Sequence, residues 1–67
     1  MQFTSIKHDA TIHFSENEIE YSKDEQRHIC IGKDLIGNRY KLYFYESVFN
    51  EKVLVEDAKM IHQVMDC

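Results

Sequence analysis

Apolar residues fall at alternate positions through much of the chain. In "ATIHFSENEIEYS", residues 10 to 22, Ala10, Ile12 and Phe14 alternate with polar residues, and Ile19 and Tyr21 resume the pattern. A period of two is that of a strand with one buried face. A loop through Ser15 to Glu18 sets Phe14 opposite Ile19 and Ile12 opposite Tyr21, with His13 facing Glu20 on the other side. That is a hairpin with a four-residue loop.

A second hairpin is predicted in "RHICIGKDLIGNRYKLYFY", residues 27 to 45. Gly37-Asn38 supplies the positive φ that a type II′ turn needs at its first central position. A turn there pairs Ile36 with Arg39, Leu35 with Tyr40, Asp34 with Lys41, Ile31 with Phe44 and Cys30 with Tyr45. Opposite charges then meet at Asp34 and Lys41, and Ile29, Ile31, Leu35, Tyr40, Leu42 and Phe44 share one face. Lys33 falls on that apolar face and does not fit unless Gly32 forms a bulge.

The C-terminal part changes period. Leu54, Ala58, Ile61 and Met65 follow i, i+4, i+7, i+11, the stripe of an amphipathic helix. Glu56 and Asp57 would lie in its first turn, where carboxylates suit the helix dipole. Just before it, Val53 and Val55 of "KVLV" lean towards strand. "QFTSI", residues 2 to 6, adds a further short strand. The pattern predicts an α+β fold, a single domain over 1–67. It is a small antiparallel β-meander of four or five strands with one C-terminal α-helix packed on one face. Phe3, Ile12, Phe14, Ile19, Tyr21, Ile29, Ile31, Tyr40, Leu42 and Phe44 form the sheet's side of the core.

This arrangement leaves a second sheet face. Strand side chains alternate, so Arg39, Lys41, Tyr43 and Tyr45 point away from the helix, together with His28 and Cys30 and with Thr11, His13, Glu18 and Glu20. Composition sharpens what that face can do. The chain has 67 residues and a formal net charge of −4. The charges are segregated. Residues 16 to 25 hold five acids against one lysine, a local net of −4. Residues 27 to 45 hold Arg27, Lys33, Arg39 and Lys41 against Asp34, a local net of +3. From residue 46 onward five acids face two lysines.

Alternating cations and tyrosines on a sheet suggest nucleic acid, with bases stacked on rings and phosphates held by cations. The overall acidity opposes it, because phosphate neutralisation supplies most non-specific affinity. The basic-Gly-aromatic-Gly run of sheet-based RNA modules is also missing. Protein binding fits better, since interfaces favour Tyr and Arg, and Tyr43 and Tyr45 beside Arg39 resemble a hot-spot cluster. The partner is another protein, a nucleic-acid-binding one among the candidates, or a second copy of the chain in a homodimer. Glu16, Glu18 and Glu20 alternate, so on a strand their carboxylates would form a row spaced about 6.6 Å apart. Such rows recur in small acidic inhibitors of phages and mobile elements, which occupy basic clefts; this is an analogy of class.

Other chemistries have less support. His28-x-Cys30 with His13 nearby lacks the paired ligand spacing of a structural zinc site, so neither metal nor cofactor is expected. No phosphate loop, nucleophile elbow or HExxH motif occurs, and the chain is not expected to be an enzyme. Two cysteines are no disulfide framework; Cys30 reads as a buried thiol and Cys67 as a free terminal one. No apolar run approaches the roughly 20 residues of a membrane span, and no signal peptide is evident, which predicts a cytoplasmic protein.

Overall fold

Two long strands organise the molecule. The computed structural model describes residues 1–64. In it β4 (Arg27–Lys33) and β5 (Arg39–Glu46) pair antiparallel, from His28 opposite Phe44 to Lys33 opposite Arg39. Each long strand offers its outer edge to two short strands in tandem. On β4, β3 (Glu20–Ser22) covers Arg27 to Ile29, and β2 (Ala10–His13) reaches the far end through the single pair His13–Lys33. On β5, β6 (Lys52–Leu54) covers Phe44 to Glu46, and β7 (Lys59–His62) covers Arg39 to Lys41. β1 (Gln2–Ser5) then adds to β2, completing a seven-stranded antiparallel sheet.

The sheet curls until its ends meet. Between β6 and β7 the chain bulges away from β5, and Asp57 in this bulge accepts the Ser5 hydroxyl at 2.6 Å and the Lys7 N–H at 2.8 Å. His8 Nε2 donates to the Ala58 carbonyl at 2.8 Å. The hydrogen bond from Ser5 holds the Asp57 carboxyl below the usual carboxylate range, although burial opposes it. These bonds draw the β1–β2 turn over the concave side. Ile12, Cys30, Tyr40, Leu42, Phe44 and Ala58 are buried there, with Phe3, Phe14, Ile19, Leu54 and Met60 packed around them. Burial of Cys30, reinforced by Glu18, pushes its thiol pKa up.

The expected α+β fold is therefore corrected: among the described residues the only helical piece is a 3-10 turn, Glu16–Glu18, and residues 52 to 62 form two strands rather than a helix. The outer edge of β5 explains the outcome. A helix laid on a sheet face leaves that edge's N–H and C=O groups unpaired, whereas strands satisfy them. Leu54 and Ala58, four apart, suit a bulged strand as well as a helix. The diagnostic position is Ile61. It is 47% exposed, and Met60 packs inward in its place. Met65, the last residue of the expected stripe, lies outside the described residues.

Both hairpins differ from expectation. β2 pairs with β1 and β3 with β4, so Phe14 and Ile19 are not hairpin partners. Ser15 to Glu18 forms a tight turn, with the Glu18 N–H donating to the Ser15 carbonyl at 3.0 Å. In the second hairpin Cys30 faces Leu42, not Tyr45, a register displaced by three residues. The cause is Asp34. Its carboxylate accepts backbone N–H groups from Ile36, Gly37 and Asn38 at 2.9–3.0 Å, the Asn38 side-chain amide at 2.9 Å and the Tyr40 hydroxyl at 2.8 Å. Asp34 therefore closes the loop instead of pairing with Lys41. Gly37 does adopt positive φ, +106°.

An odd displacement reverses every side chain of β4. Cys30, Gly32 and His28 turn towards the core side, while Ile29, Ile31 and Lys33 join the other face. Gly32 forms no bulge; it pairs with Tyr40. Its hydrogen is needed because a Cβ there would lie 2.5 Å from Ile12 Cγ2 and 3.0 Å from the His13 carbonyl oxygen.

Candidate functional site

The parity of β5 places Arg39, Lys41, Tyr43 and Tyr45 together on the face away from the core, because Tyr40, Leu42 and Phe44 are all buried. β4 contributes Arg27, Ile29, Ile31 and Lys33 to the same face through its pairing with β5. His28 and Cys30, expected here, lie on the opposite side. The His28-x-Cys30 pair is thereby separated from His13, and His28 instead meets Glu46 at 3.6 Å.

In its middle this face is closed by its own neighbours. The turn after β3 folds back, held by the Glu25 N–H donating to Ser22 Oγ at 3.3 Å. The Glu25 carboxylate accepts Lys41 Nζ at 2.6 Å and the Tyr43 hydroxyl at 3.1 Å. The Lys41 ammonium holds the Glu25 carboxyl below its ordinary value, and Glu25 in turn raises the Lys41 pKa. The Arg27 guanidinium sits 5.2 Å from the Tyr43 ring centroid and pairs with Glu56 at 3.2 Å. Lys41 Nζ lies 5.7 Å from the same centroid. Tyr43 is left only 8% exposed. A polar cleft of about 580 Å³ lies beside it, lined by Lys7, Glu25, Arg27, Tyr43, Asp57 and Lys59 among others.

Tyr45 is 53% exposed and is the ring on this face open to a partner. It borders a shallow groove of about 440 Å³ with Tyr21, Arg27, His28 and Val55. The acidic residues are dispersed. Glu16 and Glu18 lie in the 3-10 turn, and Glu20 opens β3 opposite Ile29. All three are exposed, but the expected row of carboxylates on one strand does not exist.

At the other end of the face the pairings assemble something the sequence reading missed. His13 is opposite Lys33, Lys33 opposite Arg39, and Arg39 opposite His62. Cross-strand partners project to the same side, so His13, Lys33 and Arg39 stand in one row, and His62 joins it as the partner of Arg39 across a register shift between Arg39 and Tyr40. All four are exposed, and among the described residues none makes an ion pair. Lys59, opposite Lys41, adds a further exposed cation in the adjacent row. One signal existed in the sequence: Lys33 did not fit the apolar face assigned to it.

No protein-family model matches the chain, and no curated protein or solved structure matches it either. Among the described residues no helix is long and apolar enough to cross a membrane.

Proposed function

We propose that this chain is a non-enzymatic, cytoplasmic protein-binding module whose partner docks on the uncovered face of the β4–β5 hairpin and is inhibited or regulated by it. The observation that carries this reading is the display of Tyr45, with Arg39 and Lys33, on the two longest strands of the sheet. Tyr on a rigid support loses little side-chain entropy when it binds, and Tyr and Arg are both enriched among the residues that dominate interface energetics. Glu16, Glu18 and Glu20 form a solvated, acidic border in this reading, which discourages pairing of like copies.

Nucleic acid is a weaker reading. Stacking along a strand needs successive open rings, and Tyr43 is occupied by Arg27, Lys41 and Glu25. Affinity capture from the native host, with and without nuclease treatment, tests the proposal with wild type and Tyr45→Ser. A discrete protein retained by wild type and lost by the variant supports it. Retention that disappears with nuclease favours nucleic acid. A partner retained equally by both proteins removes Tyr45 from the interface, and capture of the chain's own second copy makes the face a dimer interface.

A further inference from the structure

The centre of the row, Lys33 opposite Arg39, is costly to the isolated protein. Like charges directly opposite on neighbouring strands destabilise a sheet. The chain carries 12 acids against 8 lysines and arginines, yet none of the acids among the described residues pairs with this row. Elsewhere on the same face Lys41 is matched by Glu25 and Arg27 by Glu56, and Lys59, opposite Lys41, extends the unmatched set beside the row. The contrast marks the row as a surface whose counter-charge comes from another molecule.

Its border names the chemistry of that molecule. Ile31, next to Lys33 on this face, is 40% exposed. The adjoining loop displays Leu35 and Ile36, 90% and 74% exposed, and Ile61 beside His62 is also open. The loop is braced from within, because the Asp34 carboxylate accepts the N–H groups of Ile36, Gly37 and Asn38. The Val64 N–H donates to Asn38 Oδ1 at 2.7 Å, tying the chain after β7 to the same loop. Fixed display lowers the entropy lost on binding. Aliphatic side chains give a phosphodiester backbone nothing to contact. They suit a peptide that carries both carboxylates and apolar groups.

We infer that the His13–Lys33–Arg39–His62 row, with Leu35 and Ile36, is the docking site for an acidic segment of the partner protein that also bears aliphatic side chains. This rests on the protein-binding reading above. Nucleic acid is disfavoured by distance. Tyr45 stands six residues from Arg39 along β5, about 20 Å, so ring and row would not serve the same nucleotide. The imidazoles at the ends of the row can stack on a base, so an oligonucleotide belongs in the test.

The experiment is fluorescence anisotropy on the full chain at physiological ionic strength, with a labelled short peptide of alternating Glu and Leu as probe. The same peptide with Gln in place of Glu, and a labelled oligothymidylate, are the comparison ligands. Wild type is expected to bind the Glu/Leu peptide saturably and in preference to both others. Lys33→Glu with Arg39→Glu, checked for folding by circular dichroism, is expected to weaken binding by about tenfold or more, as for charges at the centre of an interface. Leu35→Ser with Ile36→Ser is expected to weaken it by a smaller factor. Lys23→Glu, a charge change in the turn after β3 at the end of β4 far from the row, is expected to alter it little because the interaction is screened. No saturable peptide binding, equal loss with Lys23→Glu, or tighter binding of the oligonucleotide would overturn the inference. Retention of the captured partner by Lys33→Glu/Arg39→Glu would also overturn it while leaving the protein-binding function standing.

Discussion

Two regions of one sheet face, less than one strand length apart, solve the same problem differently. Around Tyr43 the two cations that cap the ring, Arg27 and Lys41, each have a carboxylate of their own, Glu56 and Glu25. Around Arg39 the cations stand opposite each other and two imidazoles, and Glu18, which lines the same groove as His13 and Lys33, makes no ion pair with them. Alternation puts both regions on the same side of the sheet, but it does not decide which one is open. That is decided by what the connecting turns bring over the face: the turn after β3 carries Glu25 inward, whereas the Asp34 loop spends its carboxylate on its own backbone. An acidic residue close in sequence can therefore silence a basic patch or leave it available, depending on where its hydrogen bonds go.

Leu42 lies beneath both regions, and its removal should have the largest effect. It is fully buried, so Leu42→Ala should cost about 2–5 kcal/mol. Urea denaturation should show a domain this small close to unfolding, with both regions lost together. Gly32→Ala separates them. The added methyl would press on Ile12 and on the His13 carbonyl, costing about 1–3 kcal/mol. Because His13–Lys33 is the single pair joining β2 to β4, the β2 amides should lose hydrogen-exchange protection while the Tyr43 region keeps its own. Uniform loss of protection would show that the two regions do not open separately.

Asp34→Ala should loosen the open region alone, by about 2 kcal/mol, since a charged acceptor of several bonds is removed. Its pH dependence follows from its carboxyl. Burial pushes that carboxyl up, but hydrogen bonds from Tyr40, Asn38 and Gly37 outweigh it and hold the pKa at about 2. The unfolded chain, with a carboxyl near the ordinary ~3.9, then binds the proton more readily. The contribution is complete above that value and disappears as pH falls towards about 2. Wild type should lose stability over that interval more steeply than Asp34→Ala. Parallel profiles would contradict the cage described for this carboxylate.

How much of this was legible can be seen in β5 and β4. The inward set Tyr40, Leu42 and Phe44 followed from period alone, as did Ile12, Phe14 and Ile19. β4 did not, because its apolar residues occupy both parities: Ile29 and Ile31 against Cys30. The register then rested on the turn, and Gly37-Asn38 was a weaker signal than five hydrogen bonds converging on Asp34. Those bonds bind a carboxylate to residues two to six positions further along the chain, a local pattern no hydrophobic period reports. The C-terminal strands were misread because Leu54 and Ala58 suit either period, and only the unpaired edge of β5 distinguished them. The row of two cations and two imidazoles needed three pairings at once: β2 with β4, where the hairpin reading had joined β2 to β3; β4 with β5 in a shifted register; and β5 with β7, which had been read as helix.

The smallest change should give the most specific contrast. Glu25→Gln removes the charge that occupies Lys41 and weakens the contact to the Tyr43 hydroxyl, with little loss of stability because the site is near the surface. The middle of the face should then gain affinity for the Glu/Leu peptide and begin to resemble the other end. Unchanged affinity would mean that matching by Glu25 is not what keeps this region closed.

The most direct test of the division of this face is a nuclear magnetic resonance titration of the wild-type protein with the Glu/Leu peptide, following backbone amides residue by residue. Shifts concentrated at His13, Lys33, Arg39 and His62 and spreading into Leu35 and Ile36, with Lys41 and Tyr43 nearly unmoved, are the expected result. Shifts centred on Lys41 and Tyr43, or no saturable shifts at Lys33 and Arg39, would contradict it.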